Sequence, residues 1–496
     1  MRSPWGLNPA PNWTHRLTEL GTDFYTPWQA TPLPEPTWVA WSDALAMDLG
    51  WPADWRQSPG LLDILTGNQP WPGSAPLASV YSGHQFGVWA GQLGDGRALW
   101  LGEIETPMGP REIQLKGAGP TPYSRRGDGR AVLRSSIREF LCSEAMHALG
   151  IPTTRALAIT GSPAKVLRET IETAAVVTRV APSFLRFGHF EHFAALDRPD
   201  LVQRLLEFCR MNLGLGQAED LPPSLSLLQD VTDRTAALMA KWQAVGFCHG
   251  VMNTDNMSLL GLTLDYGPFQ FMDAHDPNHI CNHTDSQGRY AFGRQPRVAH
   301  WNLHALGQAL MAVVDDSDAI LSVLATYPHA FETHWIQTIR SKLGLLTEQN
   351  DDLALAHDLH QLLAAERHDH TLFWRRLSQA VCHWQSGQPW DSARSVLTDH
   401  VLDRPAWDLW LTRYTTRSQA EGRHDQGLRM LRTNPKFVLR NHLAELAIRS
   451  AQQGDFFMVR ELLRVLQSPY DEHPEHADWA NLPPDWARHI EISCSS

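Results

Sequence analysis

The sequence predicts an α+β fold of two lobes, a β-rich small lobe followed by a helical large lobe, and three observations carry that expectation. Residues 77–181 order as strands, one helix, then more strands. After Pro182 the apolar spacing becomes helical. At the centre of the helical half a long amphipathic run leads straight into a loop dense in His, Asn and Asp, His249 to Asn256, followed by Asp265-Tyr266-Gly267.

Residues 1–75 are rich in Pro and Trp, with short apolar pieces such as Trp41 to Leu49, and read as an extension wrapping the core. Leu99 to Ile104 and Glu112 to Lys116 flank a Pro/Gly turn, Thr106 to Pro110, which is a hairpin signal. Over 132–149, Leu133, Ile137, Phe140, Leu141, Ala145, Ala148 and Leu149 keep near-helical spacing, and Gly150-Ile151-Pro152 stops the run. Thr153 to Thr160, Ala164 to Glu169 and Ala174 to Val180 read as three further strands, with Gly161-Ser162-Pro163 as a turn. Leu201 to Leu213 and Ser226 to Val245 are amphipathic helices, and 300–315 and 317–382 read as helices again. From about 331 to 470 the pattern is all-helical, with breaks at Pro405 and Pro435, and Asp471 to Ser496 is loop-like. The expected division is an N-terminal extension (1–75), a small lobe (76–181), a large lobe (182–330) and a helical C-terminal region (331–496).

Composition bounds the function classes. A chain of 496 residues, 43% hydrophobic with 20 Trp, has core material for two or three domains. A net charge of −12 argues against nucleic acid or an anionic membrane as partner. Met1 to Trp13 lacks a basic start and apolar run, so no secretory signal is expected. No stretch of about 18 apolar residues predicts a membrane span. A cytoplasmic protein is the expectation, and a monomer, since nothing resembles a coiled-coil seam. The six cysteines lie far apart with no C-x-x-C, which gives neither a zinc finger nor a disulfide scaffold.

Five constellations carry chemistry. Gly83-His84-Gln85-Phe86-Gly87 and Gly91 to Arg97 hold glycines that let backbone N–H groups approach a phosphate, or form two hairpin turns. Lys116 ends a strand and Glu139 sits on the following helix, an arrangement that holds and orients phosphates in protein kinases. The alternatives are an exposed edge lysine and a capping box from Ser136 to Glu139. Tyr123 to Arg130, with Arg134 beyond, is a basic, Gly-containing insert, and Arg179 and Arg186 flank the lobe junction. Arginine forks suit phosphate oxygens, and a solvated basic face is the plainer reading.

His249-Gly250-Val251-Met252-Asn253-Thr254-Asp255-Asn256 has the layout of a kinase catalytic loop, H-R-D-x-x-x-x-N, and Asp265-Tyr266-Gly267 that of D-F-G. The catalytic Asp position holds Val251, and a carboxylate stands instead at Asp255. Asn256 and Asp265 offer the oxygen ligands that magnesium prefers, and Asp255 a proton acceptor. An Asx-turn cluster is the plainer reading. His275 to Asp285 has zinc-type residues without paired spacing, and reads better as a substrate-facing loop.

These strings, together with Tyr81 to Gly87, Gln114 to Gly119, Tyr123 to Ser135, Ile280 to His283 and Asn434 to Asn441, closely resemble the selenoprotein O (SelO, or YdiU) family of protein adenylyltransferases, from about Thr26 onward. The resemblance implies a protein-kinase-like fold binding ATP flipped, with the γ-phosphate inward and the α-phosphate toward a protein substrate. AMP then passes to a Ser, Thr or Tyr hydroxyl. By that resemblance Gly94, Gly96, Arg97, Lys116, Asp128, Gly129, Arg179, Arg186 and Asp265 hold the nucleotide. Glu139 orients Lys116, Asp255 accepts the proton, and Asn256 and Asp265 bind Mg²⁺ or Mn²⁺. Flipping needs cations deep in the pocket for the γ-phosphate, which the added arginines supply. Protein substrates, redox proteins among them, and the chain itself are the expected targets. Open alternatives are UMP transfer from UTP with manganese, a true kinase, a pseudokinase scaffold, and last a thiol oxidoreductase. Some members carry selenocysteine near the C-terminus where this chain has Cys494, and a Cys281–Cys494 bond under oxidation is the matching expectation.

Overall fold

The computed structural model describes residues 11–492 apart from 400, 420 and 422–424. Its N-terminal part is built on a nine-stranded antiparallel sheet. Along the main path the order is Tyr25–Pro27, Leu77–Ser79, Ala98–Ile104, Arg111–Lys116, Ile171–Ala181, Arg155–Leu167 and Thr37–Trp41. The expected hairpin pairs Leu99 with Leu115 and Ile104 with Arg111. Strand alternation divides the core into two faces. Leu99 and Leu101 pack with Trp55 and Trp71 of the extension on one side. Trp100, between them, joins the cluster of helix Leu133–Ala148 on the other. That helix buries Ile137, Phe140 and Leu141 completely against the sheet.

Gly161-Ser162-Pro163 does not turn. The strand Arg155–Leu167 runs through it with a register irregularity between Gly161 and Lys165. Gly161 pairs on one side with Ala175 and on the other with Thr37. Two neighbouring strands override local turn chemistry, and the irregularity absorbs Pro163, which has no N–H to give the ladder. The chain reverses instead over 168–170, where Arg168 N–H bonds Thr170 O at 2.9 Å.

The rest is helical. Pro199–Leu213 and Pro223–Val245 are the two expected amphipathic helices. The break expected at Pro405 is a helix start, because Pro405 occupies the first turn of Arg404–Gln419, where a missing N–H leaves no bond unmade. The C-terminal helices hold a core of their own around Trp335, Trp374, Trp407 and Trp410. Asn441–Gln452 and Phe457–Leu466 pack on the helix Leu133–Ala148. Arg138 of that helix ties it to Asn441 Oδ1 (3.2 Å) and to Phe269 O (2.7 Å). Among the described residues no helix is long and apolar enough to cross a membrane.

Candidate active site

The strand Arg111–Lys116 lies between two partners and ends on Lys116, so Lys116 is an interior, buried lysine. Its partner strand sets Arg179 opposite Gln114, and Lys116 opposite Val177. Two residues apart on each strand, Lys116 and Arg179 become diagonal neighbours on the face that meets the helix. Glu139 comes from the middle of that helix, with Ser136 also inside it, so the capping-box alternative does not apply.

These side chains close a four-membered network with Asp265. Lys116 Nζ donates to Glu139 Oε2 (2.5 Å) and Asp265 Oδ1 (2.6 Å). Arg179 donates Nε to Glu139 and Nη2 to Asp265 Oδ1 (2.5 Å). Burial alone would raise both carboxyls, but Arg179 and Lys116 hold Glu139 below the usual range. Lys116, Arg179 and Arg97 pull Asp265 well below it. Burial and the field of Arg179 lower Lys116, against the pull of the two acids.

The network forms one end of a cavity of about 440 Å³. Gly94, Gly96, Arg97, Lys116, Asp128, Gly129, Arg179, Arg186 and Asp265 all line it, and so does Asp255. Gly94 sits at φ 135°, and a Cβ there would stand 2.8 Å from Ser79 O and 2.6 Å from the Tyr123 ring. Gly129, at φ 66°, would press a Cβ to 2.2 Å from the Gly119 carbonyl. Only glycine fits either position. Asp95, between the loop glycines, fixes the turn by accepting from Ser79 N–H (3.0 Å) and Oγ (2.7 Å). Asp128 is held by Arg168 at 2.8 and 2.9 Å, which lowers its carboxyl. Arg186 is buried over the Tyr81 ring and donates to Asp255 O at 2.8 Å. Among the described residues Arg97, Arg125, Arg130 and Arg186 line the cavity without an ion pair, and of these Arg186 is the buried one. Arg134 is elsewhere, in a two-pronged bond with Glu172 (2.8 and 3.2 Å), and Arg126 is exposed beyond the lining.

His249 is buried against Trp242, rings 5.2 Å apart, and burial pushes it down to about 4. The loop after it bends through Thr254–Asn256 and presents Asp255. Asp255 is 9% exposed, Oδ2 accepts from Gln85 Nε2 (3.3 Å), and Oδ1 has no partner. Burial outweighs the attraction of Arg186 and lifts the carboxyl to about 6. Asn256 Nδ2 donates to Val251 O (2.9 Å), which ties the loop's ends and leaves Oδ1 as the amide's acceptor oxygen. Glu139 and Asn256 stand behind the cavity wall and do not line it.

Of the glycine run 83–87 only Gln85 lines this cavity. The run forms a hairpin, Ser82–Gln85 and Val88–Gln92, laid on the catalytic-loop-like segment. His84 N–H bonds Thr254 Oγ1 (2.7 Å), and Phe86 N–H bonds Tyr290 OH (2.9 Å) and Asn253 Oδ1 (3.2 Å). A Cβ on Gly83 would stand 2.8 Å from Thr254 Oγ1, so its glycine serves close packing of two loops. Gln85 and Tyr81 are site residues that sequence reasoning passed over, although both stand in a quoted string.

The segment after Asp265 is pinned on both sides. His275 Nδ1 is 3.0 Å from His370 Nδ1, and Asn282 Nδ2 donates to Gly250 O (3.1 Å). Cys281 Sγ lies 3.4 Å from Cys248 Sγ, both buried. The expected partner Cys494 lies outside the described residues. The chain nears that segment at Ile492, whose carbonyl accepts from His283 N–H (3.1 Å).

An acid–base network, a glycine loop and arginines without ion pairs thus surround one cavity, which is the chemistry a polyanion calls for. The model of the family described as protein adenylyltransferase SelO matches residues 10–467. The chain is 55% identical to the protein nucleotidyltransferase YdiU of Variovorax paradoxus, over 98% of this chain and 97% of that one. It is 54% identical to the protein of that name from Burkholderia multivorans, over 97% and 95%. It is 53% identical to the one from Albidiferax ferrireducens, over 98% and 97%. The chain is a nucleotidyltransferase. It belongs to the SelO family.

Proposed function

We propose that this chain transfers AMP from ATP to Ser, Thr or Tyr hydroxyls of proteins, with the nucleotide flipped in a kinase-like cleft between 76–181 and 182–330. The observation that carries this reading is Asp255. It shares the cavity with arginines that are in no ion pair, Arg97 and Arg186 among them, yet keeps one buried carboxylate oxygen without a partner among the described residues. A carboxyl held near 6 by burial is a competent proton acceptor at neutral pH.

In the proposed step the acceptor oxygen attacks the α-phosphorus and the bond to the β-phosphate oxygen breaks. Pyrophosphate leaves with the electron pair, and the hydroxyl proton goes to Asp255 Oδ1. Arg186, Arg97 and the Lys116–Arg179 pair offset the phosphate charge, while Glu139 fixes Lys116. Gly94, Gly96 and Gly129 let the backbone close on the nucleotide, and Asp128 holds Arg168 at its rim. The catalysis is positioning and charge neutralisation.

The residues fit a hard divalent cation. Asp265 commits only Oδ1 to Lys116 and Arg179, which leaves Oδ2 for a metal, and Asn256 would offer its Oδ1 as an amide oxygen. Bound there, Mg²⁺ or Mn²⁺ would neutralise phosphate charge.

The test is incubation with ATP labelled separately at the α- and γ-phosphates, with Mg²⁺ or Mn²⁺, and UTP in parallel. Intact-mass analysis of the protein itself reads self-modification. An AMP-sized gain with α-label supports the reading. A UMP gain moves the substrate to UTP, γ-label alone makes the chain a kinase, and ATP binding without label makes it a scaffold.

A further inference from the structure

Beside the 82–92 hairpin lies a second cavity, larger than the nucleotide cavity, of about 710 Å³. Phe86, Val88 and Trp301 give it an apolar wall, and Arg289, Arg294 and Arg297 give it a cationic one. Phe86, Val88 and Trp301 are 40%, 69% and 38% exposed, a cluster of large apolar side chains open to solvent. Such a cluster rimmed by charge marks a contact surface.

The arginines keep their charge available. Arg289 stacks on Trp301, with its guanidinium carbon 4.7 Å from the ring centre. Arg294 touches only backbone, donating to Gly288 O (2.9 Å) and Gln287 O (3.2 Å), and Arg294 and Arg297 are exposed. No ion pair to any of the three occurs among the described residues. The one carboxylate in the lining, Asp285, is 3% exposed and turned to the N–H groups of Arg289 (2.9 Å) and Tyr290 (2.7 Å). In a chain of net charge −12, this concentration of unpaired Arg is a local reversal of sign.

The cavity adjoins the hairpin that touches the proposed base. Phe86 forms its wall, and the preceding residue, Gln85, holds Asp255. An acceptor hydroxyl delivered to Asp255 therefore brings its flanking residues over this surface. We propose that the groove docks the acceptor segment of the protein substrate and selects a hydroxyl flanked by Asp or Glu. The apolar wall takes an uncharged neighbouring side chain, and the guanidiniums take the carboxylates. This rests on the AMP-transfer reading only for what happens to the hydroxyl; the docking stands apart from it.

The test uses the full chain and two dye-labelled peptides of equal length, each with one Tyr, flanked in one by Asp and Glu and in the other by Lys. Anisotropy should show the acidic peptide binding at least about ten-fold tighter at low salt, with the gap narrowing as salt rises. The variant R294E/R297E should abolish or reverse the preference, and the milder R294Q/R297Q should reduce it. Both positions are exposed, so a thermal melt checks that the fold is unchanged. Equal affinities, or a preference untouched in both variants, would overturn the groove. Label from α-labelled ATP separates the two readings. Acidic-peptide binding without transfer keeps the groove and sinks AMP transfer. Transfer to both peptides at equal KM, indifferent to R294E/R297E, keeps AMP transfer and sinks the groove.

Discussion

Gln85 Nε2 reaches Asp255 Oδ2 at 3.3 Å from a hairpin 170 residues away, and the other carboxylate oxygen stays buried without a partner. That contact places the proposed base and favours its charged form, while burial favours the neutral one. With the carboxyl at about 6, the transfer rate should rise through pH 6 and level above it, because only the carboxylate accepts a proton. Gln85→Leu removes a contact that lowers this pKa, so it should move the acid limb to higher pH. Asp255→Ala should cut transfer by about 10²–10⁴-fold with ATP affinity nearly intact. Rates across pH 5–8 for the three proteins check this, and wild-type transfer by Asp255→Ala would remove the base assignment.

Arg179 and Arg186 differ in a way their shared side-chain type conceals. Arg179 neutralises Glu139 and Asp265, whereas Arg186 has no ion pair among the described residues. Arg186→Ala should therefore weaken ATP by about ten-fold or more while AMP loses far less, since a guanidinium held only by backbone carbonyls is the one a γ-phosphate can claim. Arg179→Ala should instead destabilise the fold by about 2–4 kcal/mol, because it leaves buried Glu139 and part-buried Asp265 sharing one cation. Calorimetry with ATP and AMP, and urea melts, separate the two. Equal losses of ATP and AMP in Arg186→Ala would count against the flipped nucleotide.

Much of this site was legible because it rests on short spacings. Lys116 at a strand end, Glu139 on the next helix and Asp265 after the 249–256 loop each announce their element locally. The register that sets Arg179 across from Gln114 then brings the four together. What stayed hidden is long-range. Nothing near 82–92 says that this hairpin covers Asn253 to Asp255, and nothing near Cys248 says that Cys281 stands 3.4 Å away. Local chemistry also misled at Gly161-Ser162-Pro163, where pairing to strands on both sides outweighs turn propensity. The pattern of Arg, Gly and Asp at 123–134 showed a basic insert, but not that Arg134 turns to Glu172 while Asp128 faces the cavity.

Buried His275 and His370 and half-buried His360 cluster between the segment after Asp265 and the C-terminal helices, with Asp276, Lys342 and His357 as charged or titratable neighbours. Burial pushes His275 down to about 4 and His360 to about 3. Unfolded histidines bind protons from about pH 6.5 while these folded ones do not, so their stabilising effect is full above that pH and is lost as pH falls toward 4. Asp255 and Glu112, lifted by burial to about 6 and about 8, act in the opposite sense. The informative quantity is thus a difference. Urea melts of wild type and His275→Asn at pH 7.5, 6.5, 5.5 and 4.5 should show wild type losing its advantage as pH falls, and a constant gap would rule the cluster out as a source of acid sensitivity.

Gly83 offers the sharpest separation of binding from chemistry. It lines no part of the nucleotide cavity, and a Cβ there would stand 2.8 Å from Thr254 Oγ1 and 3.3 Å from Asp255 Cβ. Gly83→Ala must push the hairpin off the catalytic-loop-like turn by several tenths of an ångström, stretching the His84–Thr254 bond and the contact of Gln85 with Asp255. Displacements of this size at a positioned base cost about ten- to a hundred-fold in rate. The expected outcome is a kcat for AMP transfer lowered by that factor, with ATP affinity within about two-fold of wild type. A variant that loses ATP binding and transfer together would mean that the hairpin supports the nucleotide cavity itself, and that Gln85 is not what positions Asp255.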